Sequence, residues 1–398
     1  MTSYVAVVGL GYVGLPLALK ISESGFKVIG IDIDNSRVIE INNGKSHIED
    51  VSNTSILSSL SNDSFQASTD FSKISDCKVV VICVPTPISS NKEPDLRALE
   101  DALSQIGKYL SPATLVALES TVEPGTTRNY LIPRLMEVSG LSNTDFHAAF
   151  SPERIDPMNR NWNLTNTPKL ISGVDSISLD IAVKFYSKFI PNLKLCDSLE
   201  IAECAKLLEN SFRLINISFI NEFAEFCDKF GVDVNRVIDA AASKPYGFMS
   251  FYPGLGAGGH CIPVDPLYLA HKAEEIGSPI DFIKLAAKIN TNRPAYLLNK
   301  VTKYLGVING KKLLIVGIGY KSNIGDVRES PSIALIELLR AQGALVEWND
   351  DYVRNWNGEK STPLVGYYDL VIISSEHLRF NRENLKNSPI MNAIGQIL

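Results

Sequence analysis

Compact apolar blocks alternate with amphipathic stretches through the first half of the chain. Tyr4–Val8 and Lys27–Ile31 are apolar runs of strand length, and Leu15–Ser24 between them has helical spacing. Lys78–Val84 and Thr114–Leu118 repeat the strand signal, separated by a helical stretch at Asp95–Tyr109. Strands buried on both faces lose the in–out alternation of a half-exposed sheet. The pattern therefore predicts a parallel sheet covered by helices, placed at residues 1–195.

Between Ser198 and Phe230 the period changes. Ile201, Ala205, Leu208, Phe212, Ile215, Phe219, Phe223 and Phe226 recur at helical spacing with no proline among them. One helix of that length measures roughly 45–50 Å at 1.5 Å per residue. Shorter helices flank a Gly/Pro-rich loop from Lys244 to Asp265. Residues 196–300 are read as a helical connector, two copies of which can pack as a homodimer or a larger homo-oligomer. Alternation then returns: Lys312–Gly317, Leu345–Trp348 and Leu370–Ser374 as strands, Ser332–Ala341 as a helix, in a third region at 301–398. The expected fold class is α/β, with two Rossmann-like, doubly wound domains joined by a long central helix and a helical dimerisation region.

A chain of 398 residues with a formal net charge of −6 argues against a general nucleic-acid or anionic-membrane binder. No apolar run approaches the roughly 18 residues that span a bilayer. Met1–Val8 lacks the pattern of a secretory signal. The six cysteines have neither paired spacing nor a metal-type CxxC, so free thiols in a reducing cytoplasm and no bound metal are expected.

Gly9, Gly11 and Gly14 form GxGxxG between a strand and a helix, and Asp32 closes the next strand. The first glycine permits the turn, the second lets backbone approach a pyrophosphate, and the third allows close helix–strand contact. The helix N-terminus offers free N–H groups to phosphate. Asp32 would accept from ribose hydroxyls and repel a 2′-phosphate, favouring NAD over NADP. Arg37 reads equally as a solvated charge and as a contact to the adenine end. A second pair, Gly317 and Gly319, follows another apolar strand, but Ser322 stands where a third glycine belongs and Lys321 precedes it. Phosphate binding and a purely structural turn both remain open there.

The loop from Phe251 to Pro266 carries glycines at 254, 256, 258 and 259 around Cys261, which would leave backbone bare for a bulky ligand near the sulfur. Asp265 follows four residues later. Lys206 and Asn210 share a face of the long helix, and Glu153 follows the last strand of the first domain, where α/β sites sit.

Together the motifs resemble the UDP-glucose/GDP-mannose dehydrogenase family. The blocks are Val8-Gly-Leu-Gly-Tyr-Val-Gly14, Val84-Pro-Thr-Pro87, Glu119-Ser-Thr-Val122, Pro124-Gly-Thr-Thr127, Ser151-Pro-Glu153, Ala205-Lys-Leu-Leu-Glu-Asn210, Gly258-Gly-His-Cys261, Asp265-Pro266, Gly319-Tyr-Lys321 and Asp326-Val-Arg-Glu-Ser330. They span nearly the whole chain. The resemblance is weakest over Asn387–Leu398, where a closing strand and turn are expected, and no residue is carried over from it.

The resemblance implies an NAD-binding domain, a dimer-forming central helix and a UDP-binding domain. It implies four-electron oxidation of the C6 hydroxymethyl of a UDP-sugar, with two NAD per sugar, supplying uronic acids for surface polysaccharide. Cys261 would form a thiohemiacetal and then a thioester. Lys206 and Asn210 would stabilise the oxyanion. Asp265 and Glu153 would position or deprotonate water, with Glu153 the better base. Thr121 would lie at the nicotinamide. Tyr12, Val13, Thr86 and Arg328 join the cofactor contacts, and Lys244, Tyr252, Gly258 and Lys321 the sugar-nucleotide contacts.

His260 and Val264 stand where UDP-glucose dehydrogenases usually carry serine and lysine. UDP-N-acetylglucosamine is the favoured substrate, then UDP-N-acetylmannosamine, then UDP-glucose. His260 itself reads as a hydrogen-bonding residue that shapes the loop. A two-electron hydroxyacid dehydrogenase and a non-catalytic nucleotide sensor are the competing readings.

Overall fold

In the computed structural model, residues 4–398 are described except 90, 92, 157, 158, 160, 379, 386 and 387. The chain divides into two compact units, Met1–Leu208 and Glu209–Leu398.

Among the described residues the first unit holds eight strands: β1 (Tyr4–Val8), β2 (Lys27–Ile31), β3 (Phe65–Ser68), β4 (Cys77–Ile82), β5 (Leu115–Leu118), β6 (His147–Phe150), β7 (Lys169–Gly173) and β8 (Leu193–Leu195). They lie in the order β3-β2-β1-β4-β5-β6-β7-β8, all parallel except at the β6–β7 junction. The helices α1 (Gly14–Glu23), α2 (Asn35–Asn42), α3 (Asn53–Ser61), α4 (Arg97–Tyr109), α5 (Ile132–Ser139) and α6 (Ser176–Tyr186) belong to it.

Strand periodicity explains why both faces of this sheet need helices. Val5, Val7, Val79, Val81, Leu115 and Ala117 feed one core with Leu15 and Leu17 of α1 and Phe185 of α6. Their neighbours Ala6, Val8, Val80, Ile82, Val116 and Leu118 point the other way, onto Leu99, Leu103 and Ile106 of α4 and Leu135 of α5. Successive residues on one strand thus serve two cores, and the central strands read as apolar runs at Val5–Val8, Val79–Ile82 and Leu115–Leu118.

Helix α7 spans Leu199–Phe230, 32 residues, and carries the chain from the first unit into the second. Four helices follow: α8 (Val234–Ala242), α9 (Asp265–Glu275), α10 (Asp281–Leu305) and α11 (Pro331–Ala341). The strands are β9 (Lys312–Val316), β10 (Leu345–Asn349), a small hairpin of β11 (Asn355–Trp356) and β12 (Glu359–Lys360), β13 (Leu370–Ile373) and β14 (Ile390–Asn392). The main sheet is parallel, in the order β10-β9-β13-β14. On one face Leu313, Ile315, Trp348 and Ile372 pack with Leu335 and Leu339 of α11 and Leu297 and Val301 of α10. The opposite face buries Leu314, Val316 and Val371 under Tyr368 and Leu385, the latter on a short 3-10 turn at Arg382–Leu385.

Expectations are corrected at two places in the fold. The strand before Glu153, β6, is not the last of the first unit, since β7 and β8 follow it in the same sheet. The closing segment was read as a poor match to a final strand, yet Ile390–Asn392 pairs in parallel with β13 through Val371, Ile372 and Ile373. Asn392 then accepts back from the Ile394 and Gln396 backbone N–H groups through its side-chain oxygen. A strand of three residues is too short to show a period in sequence, which is why it was missed. Asn387, named in that expectation, lies outside the described residues.

Candidate functional site

The carboxyl ends of β1, β2, β4, β5 and β6 share one edge of the first sheet, because these strands run parallel. At that edge Gly9 takes φ +92°, and its N–H donates to the Ile31 carbonyl at 2.7 Å. A Cβ on Gly14 would sit 1.8 Å from the Gly9 carbonyl oxygen, so the third glycine is required by helix–strand contact. A Cβ on Gly11 would meet nothing within 4 Å. Backbone is therefore bare at the position where a pyrophosphate needs it.

Val13 ends the turn in helical conformation, and α1 has neither a side-chain cap nor an acidic residue in its first turn. Leu15 donates its N–H to the Gly11 carbonyl at 3.1 Å, Leu17 to the Val13 carbonyl at 3.3 Å, and Pro16 has none, so what the helix start offers an anion is its positive dipole end. Asp32 is 5% exposed; its Oδ2 accepts from Leu10 N at 2.8 Å and from Arg37 Nη1 at 2.9 Å, and its Oδ1 accepts from Asp34 N at 3.0 Å. Arg37 thus has a role that sequence left open: it pairs with the acid. The hydroxyl of Tyr12 donates to Glu49 at 3.3 Å. Open backbone, an uncapped helix start and a carboxylate at the next strand end together fit a dinucleotide.

The loops after β4 and β5 are tied together by Thr86, whose hydroxyl donates to the Thr121 carbonyl at 2.7 Å. Next to them, Glu203 of α7 accepts from Gly125 N at 2.6 Å, Thr127 N at 3.0 Å and Thr127 Oγ1 at 2.6 Å. Burial raises the Glu203 carboxyl above its ordinary value, against the pull of these donors. Glu203 was not among the sequence candidates; the signal was a glutamate on the apolar side of a helix. After β6, Glu153 folds its Oε1 onto its own loop, accepting from Arg154 N at 2.7 Å and Ile155 N at 2.6 Å.

In the second unit, Cys261 is exposed in a turn closed by Asp265 N donating to the Cys261 carbonyl at 2.8 Å. Asp265 begins α9 and is 1% exposed. Asn210 of α7 donates to its Oδ2 at 2.5 Å. Lys206, one turn earlier on α7, is also buried, not surface decoration.

The glycines near Cys261 are not what sequence reading made them. A Cβ on Gly258 would strike Glu329 O, Tyr320 Cβ and Pro331 Cδ at 2.7–2.9 Å, and one on Gly259 would strike the Tyr320 ring. Gly256 lies against Asn290 and Arg293, so of the four only Gly254 faces open space. Gly258 and Gly259 are small so that the Tyr320–Pro331 segment can pack on the cysteine loop. Gly259 N donates to the Arg328 carbonyl at 3.0 Å, while the Arg328 guanidinium forms a fork onto Asp326. His260 is mostly buried, and its Nε2 has no partner among the described residues. Burial, then the nearby Arg328 charge, brings its pKa down to about 4.

Lys244 and Tyr252 lie in an exposed stretch: the Lys244 ammonium sits 4.9 Å over the Tyr246 ring, and Tyr252 OH donates to Asp239 at 3.3 Å. Lys321 follows the second glycine pair, beside Asn323, whose N–H donates to His377 Nδ1 at 2.8 Å. Among the described residues no helix is long and apolar enough to cross a membrane, and no cluster of three metal-ligating side chains occurs.

Sequence profiles of the UDP-glucose/GDP-mannose dehydrogenase family match three stretches: its NAD-binding domain over residues 3–190, its central domain over 200–292, and its UDP-binding domain over 314–393. A UDP-N-acetyl-D-glucosamine 6-dehydrogenase of Pseudomonas aeruginosa is 35% identical, covering 96% of this chain and 92% of its own. A UDP-N-acetyl-D-mannosamine dehydrogenase of Pyrococcus horikoshii is 33% identical, covering 96% and 91%. The solved structure of a UDP-glucose dehydrogenase from Pyrobaculum islandicum superposes with a TM-score of 0.90 at 25% identity, over 99% of this chain and 94% of the other.

Proposed function

Since the chain belongs to the UDP-glucose/GDP-mannose dehydrogenase family and is an NAD-dependent UDP-sugar dehydrogenase, we propose that it oxidises C6 of UDP-N-acetylglucosamine to a carboxylate through a covalent sulfur intermediate on Cys261. The observation that carries the covalent reading is the turn at Cys261: an exposed thiol four residues before a buried carboxylate that holds Asn210.

NAD would be held by Gly9, Gly11, Tyr12, Val13, Gly14, Asp32, Arg37, Thr86, Thr121 and Arg328, and when bound it would supply the hydride acceptor for both oxidations. The chain's own residues do the rest. Lys206 and Asn210, one helical turn apart on α7, are assigned the negative charge that develops on the C6 oxygen. Asp265, by accepting one Asn210 amide hydrogen, fixes the orientation of that amide and leaves the second hydrogen for the oxyanion.

The Cys261 thiolate adds to the aldehyde carbon, forming a C–S bond, and the carbonyl oxygen takes up a proton. After the second oxidation the carbon is a thioester. Glu153 removes a proton from water as the water oxygen attacks that carbon. The C–S bond breaks, the thiolate returns and the uronate leaves. Lys244, Tyr252, Gly258 and Lys321 are assigned to the UDP-sugar. The product suits the synthesis of surface polysaccharide.

His260 and Val264 beside the cysteine support an N-acetylhexosamine over glucose. Relatives bearing both N-acetylglucosamine and N-acetylmannosamine names make UDP-N-acetylmannosamine the second choice. NADH release against the three UDP-sugars at equal concentration tests the assignment. The highest kcat/KM is expected with UDP-N-acetylglucosamine; a higher value with either other sugar overturns it.

The division of labour proposed is NAD binding by residues 1–195, dimerisation and the cysteine loop by 196–300, and UDP binding by 301–398. Support for a homodimer comes from α7, where Phe212, Phe219, Phe226 and Phe230 are each at least 46% exposed on a single stripe. The rings of Phe219, Phe223, Phe226 and Phe230 stack at 5.5–6.3 Å between successive centroids. A second copy is the partner that would cover them.

A further inference from the structure

Lys169 is a charged residue opening an apolar strand, and its side chain is only 5% exposed. Its ammonium lies 2.8 Å from Glu119 Oε2, 3.4 Å from the Pro152 carbonyl and 4.0 Å from Glu153 Oε2. Tyr186 of α6 donates to the other Glu119 oxygen at 2.7 Å. Glu119 and Tyr186 are buried completely, whereas the Glu153 side chain is 17% exposed.

The other groups facing this cluster add no compensating charge. Burial, then Glu119, pushes the Cys83 thiol well above its ordinary range, so it is neutral. Arg154, on the Glu153 loop, turns its guanidinium to the Pro168 carbonyl at 2.6 Å. Burial works against the Lys169 charge, but Glu119 and Glu153 outweigh it and hold the ammonium above its ordinary value. One buried cation therefore serves two carboxylates, and Glu153 is the one that reaches solvent.

An ion pair kept for packing needs only Glu119. Contact with the Pro152 carbonyl and proximity to Glu153 do more: they locate the loop after β6 and its carboxylate. We propose that Lys169 is a positioning residue for the hydrolytic half of the reaction: its ammonium, anchored on Glu119, holds the Pro152 carbonyl and the Glu153 carboxylate where the base must stand. This rests on the reading of Glu153 as the hydrolytic base. A base that removes a proton from water works only when it is held within reach of that water.

The test is the rate of acyl-enzyme breakdown, followed in the full-length enzyme by rapid quench and intact-protein mass spectrometry. Lys169→Met is expected to slow breakdown by about tenfold or more, while both NAD reductions, KM for the sugar and Kd for NAD change less than about threefold. Lys169→Arg, which keeps the cation, should restore most of the wild-type rate. Glu119→Gln, which weakens the anchor, should slow breakdown less than Lys169→Met does. If Lys169→Met does not fold, Glu119→Gln carries the comparison against the wild type. Wild-type breakdown in these variants, or hydride transfer slowed as much as breakdown, overturns the proposal. Wild-type breakdown in Glu153→Gln would instead remove the base assignment beneath it, so the two failures are distinct.

Discussion

The side-chain amide of Asn210, on the long helix, lies 2.5 Å from the carboxylate of Asp265, four residues past Cys261. Both residues are buried, so this contact joins the helix to the cysteine turn through a hydrogen bond that water does not replace. Asn210→Ala leaves a buried carboxylate short of a donor. A loss of about 1–3 kcal/mol in stability is expected, with kcat reduced by about a hundredfold if the amide also serves the oxyanion. Denaturant titration and steady-state kinetics check the two effects separately; a variant with wild-type kcat removes Asn210 from the chemistry.

The first glycine turn separates folding from binding. Gly14→Ala forces a Cβ to within 1.8 Å of the Gly9 carbonyl oxygen and should disrupt the turn and lower Tm. Gly11→Ala points its methyl into open space, so Tm should hold while the Kd for NAD rises about tenfold or more. Calorimetry on both variants distinguishes them. Equal losses of stability would mean that the second glycine is structural.

Asp32→Ala should weaken NAD much more than UDP-sugar, because on the proposed reading the carboxylate, held by Leu10 N just past the strand end, is the acceptor for the cofactor's ribose. Its loss also strips an acceptor from Leu10 N and a partner from Arg37, so a modest fall in Tm is expected as well. Isothermal titration with each ligand reads the difference. Unchanged NAD affinity would contradict the ribose role.

A protonation effect on stability follows from His260. Its folded pKa, about 4, lies below the ordinary histidine value near 6.5, so the unfolded chain binds more protons between those limits. The stability contributed is intact above about pH 6.5 and declines as pH falls toward 4. Replacing His260 with Asn should flatten the Tm-against-pH curve in that window. An unaltered slope would show that other groups set it.

The stripe of phenylalanines on α7 is expected to bury itself against a second copy. Substituting glutamate for Phe219 and Phe226 together should give a monomer by light scattering, provided circular dichroism shows the helix intact. A variant that stays dimeric would place the interface elsewhere.

Legibility of the fold and site from sequence followed the range of the interactions. The bounds read from sequence for Tyr4–Val8 and Lys27–Ile31 match the strands to the residue, because burial of Val5–Val8 and of Val28, Gly30 and Ile31 concentrates apolar or small residues there. The long helix was placed within one residue, its period being set by local geometry. The glycines at 258 and 259 were noticed for the wrong reason, since their partner is Tyr320, some sixty residues away, and no local pattern encodes that contact. Glu119 and Lys169, fifty residues apart, are similarly visible only once β5 and β7 are folded. Motif spacing singled out the candidate residues; it did not disclose what holds them.

The measurement that bears most directly on the account is NADH produced per UDP-N-acetylglucosamine consumed, in the wild type and in Cys261→Ala. Two NADH per sugar are expected for the wild type, with net uronate formation lost in the variant. Sustained release of two NADH per sugar by Cys261→Ala at the wild-type rate would contradict the sulfur intermediate.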